Sequence, residues 1–191
     1  MSVLTRRHIV AGAVVATCAA SKPALSAEAA TPAQLARLDR KASAALNFLQ
    51  DTVPESRDLV DLSSGMLIMP LITKAAFLLG GAYGEGVLRV GGETVDYFSS
   101  FQVNYGFQFS AQQYSYALFF LNDRSLGEFM NSKGWTFGAE SKYLIIDDTE
   151  IHRADTLTST VDVAGMVFGA AGLHIGASLD GTKFSRMQRA G

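Results

Sequence analysis

Glycine recurs inside segments that otherwise have the composition of β-strands. Nine of the 18 glycines lie in such segments: Gly80, Gly81, Gly84, Gly86, Gly106, Gly165, Gly169, Gly172 and Gly176. Glycine weakens a flat strand, but it permits bulges, sharp bends and the close approach of packed backbones. A strongly coiled antiparallel sheet, closed or nearly closed into a barrel, uses residues of this kind. The glycines therefore predict a strongly bent sheet.

Turn residues and period-two alternation mark the strands of this sheet. Gly91-Gly92 separates two apolar runs and predicts a hairpin. Apolar and polar residues alternate from Val103 to Ser110, which predicts a strand with one buried face. Pro70 closes the first apolar run, and a helix capped by Asp123 and ended by Gly134 interrupts the later ones. Further strands are predicted at 66–69, 75–79, 87–90, 94–101, 114–121, 135–138, 143–146, 161–168, 173–179 and 182–187, with a tight turn at Asp180-Gly181 before the last.

The segment before this sheet has helical periodicity. Thr31 is suited to an N-cap and Pro32 to the first helical position. Apolar residues then recur at spacings of three and four, at Leu35, Leu38, Ala42, Ala45, Leu46 and Leu49. The helix should end before Pro54, and a short second helix follows at 55–63. Because strands and helices do not alternate, the pattern predicts an α+β fold in one domain, 28–191. Its N-terminal helices span 32–63, and a strongly bent, mostly antiparallel, barrel-like β-rich core spans 65–188 with one inserted helix.

Three basic residues, Arg37, Arg40 and Lys41, lie on other faces of the first helix. An amphipathic helix of this kind can lie on an anionic membrane surface. Alternatively, its leucine stripe packs on the rest of the domain. Asp39 and Asp51 favour this alternative because they dilute the positive charge.

The first 27 residues have the three-part layout of an export signal. Arg6-Arg7 precedes an uncharged run of twelve residues, Ile9–Ala20, which is too short to span a bilayer. Small residues around Ser26 and Ala27 suit cleavage. The paired arginines resemble the twin-arginine type of signal. We therefore expect export to the periplasm or secretion, with peripheral association to a membrane as one option.

Charge and cysteine content exclude several classes of function. The chain has 16 basic and 18 acidic residues, and removal of the three basic residues within 1–27 leaves thirteen against eighteen, a net charge of −5. This balance disfavours binding to nucleic acid, which depends on neutralising phosphates. The single cysteine, Cys18, excludes an internal disulfide and a cysteine-based zinc site. An alternative role for Cys18 is that of a lipid anchor, since 15–18 loosely resembles a lipoprotein box.

Three ordered segments carry a resemblance to a known family. They are 65–88 (GMLIMP, KAAFLLGG and YGEGVL), 106–121 (GFQ, AQ, YS and LFFL) and 172–182 (GL and GASLDGT). Taken in order, they resemble the SYLF domain family, the lipid-binding domain of bacterial exported proteins and of eukaryotic actin-patch proteins. The resemblance covers about 35–186, and Ala76 and His174 depart from the family pattern.

The resemblance implies binding of lipid or phosphoinositide without catalysis, so we expect no catalytic residue, cofactor or metal. The expected partner is a membrane lipid, anionic in its head group, bound at the surface or in an acyl cavity. Lys74 matches the lysine that precedes the family's Gly-Gly strand. Arg89 lies four residues after Glu85 on one strand face, so the two either pair or face a head group. The basic N-terminal segment of the eukaryotic relatives corresponds here to Arg37, Arg40 and Lys41.

Other chemistry has weaker support in the sequence. No G-x-S-x-G motif supports a hydrolase, and the glycines of 80–86 lack the spacing of a nucleotide loop. The dense aromatic residues of 97–120 are first of all core, with a minority available for a cavity or an exposed patch. Two alternatives to lipid binding stay open: an envelope protein-interaction module or homo-oligomer, and a hydrolase of an envelope lipid. One cluster of potential metal ligands matches no calcium loop: Asp147, Asp148, Glu150 and His152.

Overall fold

The structure, a computed structural model, describes residues 29–75, 81–103, 113–139, 142–146, 160–169, 172–173 and 179–190. Three helices are present in this part of the chain: α1 (Pro32–Thr52), α2 (Ser56–Leu62) and α3 (Asp123–Asn131). Nine strands accompany them: β1 (Gly65–Ala75), β2 (Gly81–Val90), β3 (Glu93–Val103), β4 (Gln113–Phe120), β5 (Trp135–Thr136), β6 (Tyr143–Ile145), β7 (Val163–Gly169), β8 (Gly172–Leu173) and β9 (Lys183–Arg186). The predicted export signal lies outside the described residues, and so does the cluster of potential metal ligands at 147–152.

The nine strands form one strongly curled sheet. Its strand order is β5-β9-β3-β2-β1-β4-β7-β6, and β8 pairs with β7. Every described pair is antiparallel except β6 with β7. The two outermost strands, β5 and β6, follow each other in the chain, and the rings of Phe137 and Tyr143 beside them lie 4.4 Å apart. The predicted α+β fold with a strongly bent, mostly antiparallel sheet and an inserted helix is confirmed.

A bulge interrupts the pairing of β1 with β2. The prediction that Pro70 ends a strand is wrong: β1 continues to Ala75, and its register against β2 shifts between Ile68 and Leu71. Proline has no N–H to give the ladder, so it occupies a bulge. Gly86 permits the close approach of β2 to β1, because a Cβ at this position would lie 2.5 Å from the Ile68 carbonyl oxygen.

Local turn and cap predictions meet mixed outcomes. Gly91 and Gly92 have φ of 59° and 85°, so the predicted hairpin is confirmed. The cap of α3 was predicted at Asp123 but is Asn122, whose side chain accepts from the Ser125 N–H, and the helix ends at Asn131, before Gly134. The predicted turn at 180–181 is present, with the Thr182 N–H donating to Leu179. Most of each predicted strand at 75–79, 103–110 and 173–179 lies outside the described residues.

Each face of the sheet buries its own cluster of apolar side chains. On one face, α1 places Leu38, Ala42, Leu46 and Leu49 against Ile68 and other strand residues, so the leucine stripe packs on the domain. On the other face, α3 contributes Leu126 and Phe129, and side chains from strands as far apart as β9 and β7 share the cluster. That face is therefore the inside of the curl.

Polar contacts fix α1 in one orientation over β2 and β3. The Asp39 carboxylate accepts from the Thr94 hydroxyl at 2.8 Å and from the Tyr97 hydroxyl. On the same flank of α1, the Arg89 guanidinium donates to the Ser43 hydroxyl at 2.7 Å and to the Asp39 carbonyl. Since one flank of α1 is tied to the sheet in this way, the opposite flank is the one left accessible.

Asp162 connects α3, β6 and β7. Its carboxylate accepts from the Asn122 amide at 3.1 Å, the Arg124 guanidinium at 3.2 Å and the Lys142 N–H at 3.2 Å. Burial alone would raise the pKa of Asp162, but these donors together hold it below its usual value.

Asp162→Asn tests this contribution, because it keeps an acceptor oxygen and removes the charge. A pKa lowered by folding stabilises the native state above the ordinary aspartate range, and this stabilisation is lost as the pH falls through the lowered value. We expect a loss of about 1.5 kcal/mol in the free energy of unfolding near neutral pH, shrinking in acid. Urea unfolding near neutral pH and in acid measures this loss. The control is Asp61→Asn, since Asp61 is exposed. A loss that does not change with pH would contradict this account.

Candidate functional site

The accessible flank of α1 carries a stripe of cations followed by apolar residues. Arg37, Lys41, Ala44 and Phe48 recur at spacings of four and three, which places them on one side of the helix. All four are exposed. Neither Arg37 nor Lys41 forms an ion pair or hydrogen bond with another described residue. The stripe therefore presents two available positive charges at one end and an aromatic ring at the other.

A polar cavity lies at the cationic end of this stripe. Its volume is about 220 Å³. Arg37 and Lys41 form one side, Gln34 and Met187 contribute to the lining, and Glu85 of β2 reaches it from the sheet. The cavity thus combines two positive charges and one negative charge.

An apolar groove lies at the other end of the stripe. Its volume is about 410 Å³, and Lys41 also lines it, so the groove and the polar cavity meet at this residue. Phe48 of α1, Leu71 of β1 and Phe168 of β7 line the groove. Phe168 is buried, whereas Phe48 and Leu71 are exposed. The rings of Phe48 and Phe168 stack with centroids 6.3 Å apart.

Large apolar side chains continue from the groove across the same sheet face. Leu71 pairs with Glu85, and Tyr83 pairs with Phe101 on the next strand. Phe48, Leu71, Tyr83 and Phe101 are 41%, 39%, 48% and 51% exposed. Exposed apolar residues are ordinary singly, but a row of this kind marks a contact surface. We call Arg37, Lys41, Phe48, Leu71, Tyr83 and Phe101 the cationic–apolar surface.

Tyr83 is a neutral member of this surface. Its hydroxyl donates to the Glu85 carboxylate at 3.0 Å. Burial, together with the hydrogen bond and negative charge of Glu85, raises the pKa of Tyr83 to about 12. The ring therefore stays uncharged near neutral pH, with an apolar body and a polar tip that suit a membrane interface.

The predicted binding residues are only partly brought together. Arg37 and Lys41 lie side by side, and Arg40 is exposed on the same helix but lines neither of these two cavities. Arg89 of β2 contacts the opposite flank of α1, where its hydrogen bonds hold the helix to the sheet. As its spacing predicted, Arg89 shares with Glu85 the sheet face toward α1, although Glu85 is bonded to Tyr83. Lys74 lies in β1, where its backbone pairs with Ala82 of β2, and its side chain lies outside the described part.

No protein-family model matches the chain, and no curated protein matches it. The resemblance to the SYLF family therefore stays a prediction from the residues quoted above. Within the described ranges, no group of three or more histidine, cysteine, aspartate or glutamate residues is placed to hold a metal ion. No helix of the described part is both long and apolar enough to cross a membrane.

Proposed function

We propose that this protein is a noncatalytic lipid-binding protein of the bacterial cell envelope that associates peripherally with anionic membrane surfaces. The cationic–apolar surface carries the proposal. It places Arg37 and Lys41 beside four exposed apolar side chains on one side of the molecule. Cations attract anionic head groups, and apolar side chains insert between them, so the two contributions act together.

The energetics require this clustering. A basic residue near an anionic bilayer contributes about 1 kcal/mol, and attraction decays within a Debye length. With a net charge of −5 after loss of the predicted signal, the domain as a whole is repelled from such a bilayer. Arg37 and Lys41 contribute about 2 kcal/mol together. Apolar contact must therefore supply the rest, which the exposed row beside them offers.

The inside of the curl does not offer the same opportunity. The Phe129 ring lies 4.5 Å from the Phe98 ring and 4.9 Å from the Phe120 ring, and Trp135 and Phe184 pack around it. These side chains are buried. The aromatic packing of this face supports contact through the outer, α1-bearing face of the sheet.

Tyr97 and Tyr114, two tyrosines of the described part, are poor candidates for acid–base catalysis. Burial raises the pKa of Tyr114, and burial with a hydrogen bond to Asp39 raises that of Tyr97, in both cases to about 12. A catalytic acid or base works best with a pKa near the operating pH. These shifts move both groups further from neutrality.

Vesicle co-sedimentation tests the proposal. The purified protein is mixed with zwitterionic vesicles or with vesicles containing an anionic lipid, each at low and high salt. We expect the protein to pellet with the anionic vesicles, and less of it at high salt because exposed charges are screened. Equal binding to both vesicle types at both salt concentrations would contradict the role of Arg37 and Lys41.

Failure to bind either vesicle would favour the second candidate, a protein-interaction module of the envelope. The exposed row of Leu71, Tyr83 and Phe101 is the observation that supports it, because a partner protein or second copy would also cover such a face. The edge strands β5 and β6 span two and three residues, which leaves little edge for strand addition. Sedimentation velocity of the same sample distinguishes a dimer from a monomer.

A further inference from the structure

The polar cavity and the apolar groove share one lining residue. Lys41 lines both, with the polar volume of about 220 Å³ on one side and the apolar volume of about 410 Å³ on the other. Together they present a charged compartment and an apolar compartment along one flank of α1. This division matches a molecule with a small polar head and a single apolar chain.

Small residues and one satisfied hydroxyl make the groove apolar. Ala44 and Ala45 of α1 and Gly169 of β7 leave space between the helix and the sheet. Ser115 also lines the groove, but its hydroxyl donates to the Pro70 carbonyl at 2.7 Å. The bulge at Pro70 therefore has its carbonyl oxygen satisfied from within the protein. Because the Ser115 hydroxyl and the Pro70 carbonyl already bond to each other, an apolar chain in the groove deprives neither group of its partner.

Charge at the junction selects the head group. Lys41 lines both compartments, and Arg37 lies one helical turn before it. Neither side chain is paired with another described residue. Glu85 lines the far side of the polar cavity and disfavours a second negative charge there. A monoanion next to Lys41 is therefore favoured over a cation or a multiply charged head.

We propose that the groove and cavity bind one molecule of a long-chain carboxylate, with the alkyl chain against Phe48, Leu71 and Phe168 and the carboxylate at Lys41. The inference rests on the proposed function in that the ligand is a lipid, but it concerns a monomeric lipid in a site and not a bilayer. A volume of about 410 Å³ lies within the range of small-molecule sites.

Isothermal titration of the purified protein with dodecanoate below its critical micelle concentration tests the site. We expect a stoichiometry of one. Each buried methylene strengthens binding about fourfold, so octanoate, with four methylenes fewer, should bind roughly 250-fold more weakly. Dodecyltrimethylammonium, with the opposite charge, should not compete. Absence of dodecanoate binding, or equal affinity for the two carboxylates, would overturn the proposal.

Two variants with matched controls locate the site. Ala44→Phe fills the groove from an exposed helix position and should abolish dodecanoate binding, whereas Ala36→Phe, exposed on another side of α1, should leave it unchanged. Lys41→Glu should weaken it about thirtyfold, through loss of the counter-charge and repulsion from the new carboxylate. Thermal unfolding checks that each variant is folded. Unchanged binding by folded Ala44→Phe would overturn the assignment.

A third variant separates this inference from the proposed function. Phe101→Ser removes apolar contact with a bilayer, and Phe101 lines neither cavity. This variant should lower vesicle binding and leave dodecanoate binding intact. Ala44→Phe should abolish dodecanoate binding and leave vesicle binding intact. Dodecanoate binding without vesicle binding would overturn only the membrane role, and vesicle binding without dodecanoate binding would overturn only the groove.

Discussion

Phe129→Ala is expected to lower the free energy of unfolding by about 4 kcal/mol, the largest loss we predict for a single substitution. Phe129 is fully buried on α3, and four other rings surround it, from Phe98 at 4.5 Å to Phe184 at 5.9 Å. These rings come from four different strands of one sheet, so they cannot readily collapse into the space that the substitution leaves. The loss therefore combines the transfer of a buried ring with a cavity.

Urea unfolding measures this change, and Phe48→Ala is the matched control. Phe48 is also a helical phenylalanine, but it is 41% exposed. We expect its removal to cost roughly 1 kcal/mol, because much less surface leaves water there on folding. Comparable losses at the two positions would show that the ring cluster around Phe129 is not the main inner core.

The sequence predicted what local physical rules determine. The stripe through Leu38, Ala42 and Leu49 identified α1 and its buried face, because three- and four-residue spacing leaves one solution. Gly91-Gly92 identified a hairpin, because both positions need positive φ. Glycine within strands predicted the bend. Gly86 shows why, since a side chain there would collide with the backbone of β1.

Long-range pairing was beyond the same rules. β9 pairs with β3 and β5, and β6 runs parallel to β7, although nothing within any of these short segments specifies its partner. Pro70 was predicted to end a strand because it cannot donate to a ladder. A bulge lets β1 pass through this position, and that depends on both neighbouring strands.

Only part of the candidate site was predicted, because the rest depends on how distant segments of the chain pack together. Basic residues on α1 are visible in the sequence, so Arg37 and Lys41 were identified. Alternation assigns Tyr83 to the sheet face of buried Val87, but it cannot tell how far α1 extends over that face. Tyr83 and Phe101 lie beyond the helix and are exposed. An out-of-phase Phe48 between Leu46 and Leu49 was the one local indication of an apolar contact outside the core.

Reversing both charges, with Arg37→Glu and Lys41→Glu together, should almost abolish binding to anionic vesicles at low salt. Loss of two cations removes about 2 kcal/mol, and two new carboxylates add repulsion of about the same size. The sum of about 4 kcal/mol corresponds to roughly a thousandfold weaker partitioning. Because neither side chain is paired with another described residue, the free energy of unfolding should change by less than about 0.5 kcal/mol.

The control for this double variant carries the same change in net charge at other positions. Lys133→Glu with Lys142→Glu alters two exposed lysines that line neither cavity. If the cationic–apolar surface faces the bilayer, the control should retain most of its binding, because charges beyond a Debye length of the bilayer are screened. Equal losses in both proteins would mean that net charge governs binding. Intact binding by the Arg37/Lys41 variant would mean that another face makes the contact. At high salt the two variants should converge, since screening removes the difference while apolar insertion persists.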